Sequence, residues 1–304
     1  MIISVINNKG GVGKTTLSCN LAVALSRLKK RILVIDLDPQ CNSTSILLHK
    51  DTVVPNTLYE LLDATENGKF QAQDCIYLSK YKGLYCLPNT EETSGLEMDI
   101  VSQYPGSLGL LRQRIRDYAK AEFDFTFIDN PPNMGIFVAN SLFASDFIIV
   151  PNDAGSAYSL DGLRATFDLI KSIQESGNPD LRFLKLLMNR VDLRTAISRI
   201  IIDDIKKRFS PQQIFKTVIP SNTAIQQAEY AKETIFTLNP ASLAAKAYRN
   251  LAKEFLTVFK NLAKDELSKS LSKDKVGKNN GTRFKKKSKR VIRKNSGLGS
   301  SHPG

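Results

Sequence analysis

Lys9-Gly10-Gly11-Val12-Gly13-Lys14-Thr15-Thr16 decides how this chain is read. The stretch follows an apolar run, Ile2-Ile3-Ser4-Val5-Ile6, and opens a segment in which Leu17, Leu21, Leu25 and Leu28 recur at helical spacing. Strand, glycine-rich loop and helix in that order form a phosphate-binding unit. Glycines at 10, 11 and 13 free the backbone N–H groups to turn inward around phosphate oxygens, and the helix behind them directs its positive end to the same place. In this reading Lys14 reaches the terminal phosphates and Thr15 offers its hydroxyl to Mg²⁺. Asn8 stands where the ordinary loop has its first glycine, and a second lysine, Lys9, precedes the glycines.

Outward from the loop, the same pattern returns. Arg31-Ile32-Leu33-Val34-Ile35 runs into Asp36-Leu37-Asp38-Pro39-Gln40, and Phe125-Thr126-Phe127-Ile128 runs into Asp129-Asn130-Pro131-Pro132. Short continuous apolar runs are buried parallel strands, and a carboxylate after such a run faces the crevice at the strand's carboxyl end. Phe147-Ile148-Ile149-Val150-Pro151 and Phe183-Leu184-Lys185-Leu186-Leu187-Met188 read as further strands, as does Leu84-Tyr85-Cys86-Leu87-Pro88, and Val218-Ile219-Pro220-Ser221-Asn222 reads as the end of another. Helices are expected at 57–62, 108–121, from Ser159 with that serine as N-cap, at 194–209 with Ile197, Ile201 and Ile205 on one face, and at 241–263. The expected fold is α/β: a doubly wound, mostly parallel sheet with helices on both faces.

Charge separates the chain into two parts. The formal net charge is +13, and residues 264–304 carry 13 Lys/Arg against 3 Asp/Glu, leaving 30 against 27 for residues 1–263. Between Lys275 and Lys294 there are no acids and few sizeable apolar residues. A domain over 1–263 and a basic, disordered tail over 264–304 are therefore expected. No apolar run approaches the roughly 18 residues of a membrane span, and because Met1 leads directly into a strand-like run without a basic leader and apolar h-region, secretion is not expected. Cys19, Cys41, Cys75 and Cys86 have no metal-binding spacing and read as reduced cytosolic thiols.

Taken together, Lys9-Gly10-Gly11-Val12-Gly13-Lys14-Thr15, Asp36-Leu37-Asp38-Pro39-Gln40 and Asp129-Asn130-Pro131-Pro132 resemble the motifs of the ParA/MinD family of ATPases with the deviant Walker A loop. The resemblance spans about residues 1–260 and implies a P-loop ATPase using ATP and Mg²⁺. It implies that Lys9 reaches a partner's nucleotide across an ATP-dependent homodimer, and that Lys14 and Asp38 act in hydrolysis, Asp38 by positioning water. Gly10 to Thr16 then hold phosphates, Thr15, Asp36 and Asp129 hold magnesium, and Asn189 and Pro220, the latter within Ile219-Pro220-Ser221-Asn222, lie by the adenine. Cys41 stands where the family usually has glycine. A dinucleotide-binding unit lacks the Lys-Thr pair, and nitrogenase-type iron proteins need cluster-ligating cysteines that are not placed here.

The Asp-Pro-Gln continuation favours a ParA-type partition ATPase of plasmid or chromosome, cytoplasmic and nucleoid-associated. Non-specific DNA and a ParB-like centromere-binding protein, which stimulates an otherwise slow hydrolysis, are its expected partners. The rival is a MinD-like or orphan ParA-like ATPase that positions a protein or membrane-associated cargo. Its membrane-inserting amphipathic helix has no counterpart in the basic tail, so stable membrane insertion is not expected. Many family members carry arginines after the Ile-Pro pair, where Ser221 and Ala224 stand here. The expected DNA contacts are Arg194, Arg199, Lys206, Lys207 and Arg208, with Lys285, Lys286, Lys287, Lys289 and Arg290 of the tail.

Overall fold

The structure is a computed structural model describing residues 1–63, 69–155 and 159–287. Its chain divides into two units, Met1–Glu254 and Phe255–Gly304.

The first unit is built on a seven-stranded sheet. In chain order the strands are β1 (Ile2–Val5), β2 (Ile32–Asp36), β3 (Tyr77–Leu78), β4 (Leu84–Leu87), β5 (Phe125–Asp129), β6 (Phe147–Asp153) and β7 (Arg182–Asn189). Across the sheet the order is β3-β4-β2-β5-β1-β6-β7, parallel except for the two-residue edge strand β3. Parallel strands covered on both faces have no side for polar residues, and every residue of β1, β2 and β5 is buried. The helices are α1 (Lys14–Ser26), α2 (Asn42–Leu47), α3 (Leu58–Leu62), α4 (Leu96–Ser102), α5 (Leu110–Glu122), α6 (Ile136–Ala144), α7 (Ser159–Ser176), α8 (Ala196–Arg208), α9 (Thr223–Tyr230), α10 (Ile235–Leu238) and α11 (Leu243–Lys287).

Right-handed crossovers assign the layers. The chain moves one way along the sheet from β1 to β2 and the other way from β5 through β6 to β7, so α1 and α6–α7 fall on opposite faces. The contacts agree: α1 packs with α2 and α10, whereas α6 packs with α4, α5 and α7. Leu58, Leu61, Leu111 and Ile115 share a core with Leu33 and Ile35, while Ile170, Ile201 and Ile205 close over Ile148, Val150 and Leu186. Winding away from β1 in both directions opens a crevice at the carboxyl ends of β1, β2 and β5.

Several expectations are corrected. Val218–Asn222 is not a strand: Pro220 makes one isolated parallel bridge with Val191, because a proline has no N–H to extend a ladder. The helix expected over 194–209 starts at Ala196 with Thr195 as N-cap, and its inward face is Ser198, Ile201, Ile202 and Ile205, leaving Ile197 exposed. Leu28 lies beyond α1 and is exposed. The closing helix begins at Leu243 and continues to Lys287, past the expected boundary at 263 and into the segment expected to be disordered. A helix already under way extends without a nucleation cost, and residues 264–287 contain no proline to stop it. Residues 288–304, including Lys289 and Arg290, lie outside the described residues, as does the side chain of Ser159.

Candidate functional site

Val5 ends β1, and the chain then turns into the loop. Gly11 and Gly13 take φ of 72° and 88°, a left-handed region that L side chains rarely adopt. At Gly13 a side chain is also excluded by space, since a Cβ there would lie 2.4 Å from Asn189 Nδ2. Gly13 is the N-cap of α1 and makes no side-chain cap, so the first turn of that helix presents bare N–H groups to the crevice. Lys14, 7% exposed, folds back so that its Nζ donates to the carbonyls of Asn7 (3.3 Å) and Lys9 (3.2 Å). Burial lowers its pKa, against the attraction of Asp129 and Asp38.

Two carboxylates lie under the loop because two strands pair in register. Asp36 and Asp129 are directly opposite each other at the ends of β2 and β5, both fully buried. Asp36 Oδ2 accepts from the Thr44 backbone N–H (2.8 Å) and hydroxyl (2.7 Å), and Asp129 accepts from Ser43 Oγ (2.5 Å) and Ser18 Oγ (3.3 Å). Burial pushes the Asp36 carboxyl well above the ordinary carboxylate range, and the charge of Asp129 pushes it further. Asp129 is likewise raised by burial, partly offset by hydrogen bonds from Ser43 and Thr15. Such a pair is poorly placed without a cation and well placed with one. Among the described residues no cluster of three or more His, Cys, Asp or Glu side chains could hold a metal by itself. That donor set suits a hard ion that keeps water and takes oxygens from a bound phosphate, as Mg²⁺ does.

Above this floor is a cleft of about 390 Å³. Of the residues expected in the site, Gly10, Gly11, Gly13, Lys14, Thr15, Thr16 and Asp38 line it. Val12 is buried behind the loop, and the Lys9 backbone N–H is held by Asn7 Oδ1 at 3.0 Å. Asn130, from the segment after β5, donates to Ser4 Oγ and the Val5 carbonyl, and Pro132 lines the cleft beside Gly10.

Asn189, expected by the adenine, ends β7 beneath the loop. It is 3% exposed, its Nδ2 donates to the Val12 carbonyl (2.7 Å) and ties the loop to β7, and its Oδ1 accepts from the N–H of its neighbour Arg190 (3.0 Å), which fixes the amide's orientation. Pro220 is docked beside the end of β7 through Val191 and does not line the cleft. The segment it belongs to delivers α9, capped by Asn222. Gln40, from the Asp-Leu-Asp-Pro-Gln motif, and Asn42 shortly after it also line the cleft, and Ile46, Arg190, Glu229 and Lys232, which sequence reading missed, complete the lining. The spacing of Glu229 and Lys232, three apart just after the Ile-Pro-Ser-Asn segment, is the only signal they left in the sequence. Arg194, Arg199, Lys206, Lys207 and Arg208 are all exposed on or beside α8, away from the lining. Arg194 is paired with Asp192 at 2.8 Å, and Lys207 with Asp204 at 3.5 Å. Lys285, Lys286 and Lys287 end α11.

Known proteins share this architecture. Residues 1–183 match the family model described as AAA domain. The sporulation initiation inhibitor protein Soj of Bacillus subtilis (strain 168) is 34% identical over 255 residues, 83% of this chain and 97% of that protein. The chromosome partitioning protein ParA of Myxococcus xanthus (strain DK1622) is 31% identical, spanning 84% of this chain and 87% of that one. Among solved structures, cobyrinic acid a,c-diamide synthase from Mycobacterium smegmatis with bound ADP and magnesium superposes with a TM-score of 0.71 at 27% identity, covering 85% of this chain and 95% of that chain. With its glycine-rich loop before α1 and its paired carboxylates at the ends of β2 and β5, the chain belongs to the ParA family of P-loop ATPases.

Proposed function

We propose that this ATPase is a DNA partition protein whose ATP-bound form is a homodimer that holds DNA without sequence preference and releases it on hydrolysis. The observation that carries the reading is the stacking of a bare helix N-terminus, a buried lysine and a register-matched carboxylate pair on one crevice. The similarity, across most of the chain, to the Myxococcus xanthus protein named for chromosome partitioning supports the partition role.

Backbone N–H groups from Gly10 to Thr16 would hold the phosphates of ATP, and Lys14 would exchange its carbonyl partners for phosphate oxygens. Thr15, Asp36 and Asp129 would hold Mg²⁺, which when bound offsets charge on the phosphate oxygens. Asp38, 8% exposed and lining the cleft, would orient the attacking water. A carboxylate is too weak a base to remove a proton from water efficiently, so positioning and charge stabilisation carry the step and the intrinsic rate is slow. Lys9 at the rim would reach a second protomer's phosphates, and stimulation would come from a ParB-like partner at the centromere. DNA would contact Arg194, Arg199, Lys206, Lys207 and Arg208, with the basic C-terminal segment adding phosphate contacts. Each phosphate neutralised contributes about −0.9 to the slope of log K against log salt.

Co-sedimentation with DNA in ATP and in ADP, for the wild type and Lys9→Ala, tests this. DNA binding in ATP that is lost in ADP and in Lys9→Ala is expected. Binding indifferent to both changes would sink the dimer switch, and ATP-dependent recovery with liposomes in place of DNA would move the protein to the cargo-positioning class.

A further inference from the structure

The end of α9 is organised over the cleft in a way that the phosphate loop does not require. Four described residues other than glycine have positive φ: Lys29, Cys41, Arg190 and Lys232. Three of them belong to this site. Arg190 (52°) and Lys232 (54°) line the cleft, and Cys41 (53°) sets the start of α2 just before Asn42, which also lines it. Left-handed backbone at a residue with a Cβ is unfavourable, and it collects where the side chain's position matters. Lys232 stands two residues after α9, at a place where helices ordinarily end on glycine.

Two side chains cross from α9 to the opposite wall. Lys232 Nζ donates to Asn42 Oδ1 at 2.7 Å, and Thr16 Oγ1 donates to Glu229 Oε1. Thr16 is the third residue of α1, in the turn whose N–H groups have no side-chain cap. The Glu229 carboxylate therefore lies where the positive end of the helix attracts an anion. Lys232 itself is exposed, and a hydrogen bond between two surface side chains adds little to folding stability.

We propose that the end of α9 sets nucleotide affinity through two opposed charges. Glu229 competes with the anionic nucleotide for Thr16 and the first turn of α1. Lys232 exchanges Asn42 for an anionic oxygen of the same nucleotide. The inference rests on the cleft being the nucleotide site. Its physical basis is that like charges a few ångströms apart beside a partly buried site repel appreciably, whereas a cation at the same rim attracts. The balance makes affinity moderate, so that nucleotide can be exchanged.

Calorimetric titration of the full chain with Mg·ATP and with Mg·ADP tests the proposal. Glu229→Gln keeps size and hydrogen bonding but removes the charge, and is expected to tighten both nucleotides by about 5-fold or more. Lys232→Gly is expected to weaken both by about 5-fold, while its thermal midpoint without nucleotide is unchanged or higher, because glycine suits φ of 54°. Glu229→Gln with weaker binding would make Glu229 a direct ligand of the nucleotide and overturn the competition, as would unchanged affinity. Wild-type affinity in Lys232→Gly overturns the role of the lysine. Lys14→Ala is the control for the site itself: nucleotide binding that survives it undiminished would remove the cleft assignment, whatever α9 does.

Discussion

On the strand side of the cleft the polar groups come from backbone N–H at residues 10–16 and from carboxylates fixed by the pairing of β2 with β5. On the other side they are the side chains of Arg190, Glu229 and Lys232, carried by the ends of β7 and α9. The carboxylates cannot shift without breaking a parallel ladder buried on both faces, and the loop is held by the left-handed Gly11 and Gly13 and by the Asn189 amide. The second shifts with a rotamer. Phosphate chemistry, which needs fixed geometry, is thus separated from contacts that can be retuned by single substitutions.

The rigidity of the strand side can be broken most severely at Gly13. Gly13→Ala must hold an L side chain at φ of 88° with its Cβ against Asn189. A loss of about 2 kcal/mol or more in stability and of about 100-fold in ATP affinity is expected, read by thermal melting and by nucleotide titration. Near-wild-type binding would mean that the loop is as adjustable as α9.

A smaller effect sharpens the same side through pH. Asp36 and Asp129 are raised in the folded protein above their unfolded values, so the folded state holds more protons than the unfolded one between about pH 4 and about pH 7. Stability from this pair is complete below the unfolded pKa and is lost as pH rises through the raised folded values. The nucleotide-free, magnesium-free protein is expected to be on the order of 1–2 kcal/mol more stable at pH 5 than at pH 8 in denaturant melts. A flat profile would show that burial does not raise these carboxyls in the folded protein.

The smallest effect is at the junction of the two sides. Cys41→Gly relieves a left-handed residue at the start of α2 and is expected to stabilise the protein by about 0.5–1 kcal/mol, less the entropy that glycine gives the unfolded chain. A destabilised variant would show that the Cys41 side chain, whose Sγ lies 3.3 Å from the Pro39 carbonyl, contributes more than its strained backbone costs.

The same contrast governs what the sequence revealed. Strands β1, β2, β5, β6 and β7 are legible because strands covered on both faces must be continuous apolar runs, and the acids after β2 and β5 point to the crevice. The site on that side follows from local order. Glu229 and Lys232 do not, because their partners Thr16 and Asn42 lie 213 and 190 residues away, and only tertiary approach makes them neighbours. Asn189 stands at the strand end that the sequence indicates, and its amide donation to the Val12 carbonyl is a tertiary contact that a residue type alone does not fix. Helical spacing alone groups Ile197 with Ile201 and Ile205, whereas the helix is turned so that Ser198 and Ile202 share their buried face.

The register match of Asp36 with Asp129 has a consequence for the protein's lifetime. Any species that binds this pair and its neighbouring loop also favours the folded state over forms open to proteolysis. Cellular abundance would then follow the supply of nucleotide and divalent cation, with the protein that lacks both cleared first.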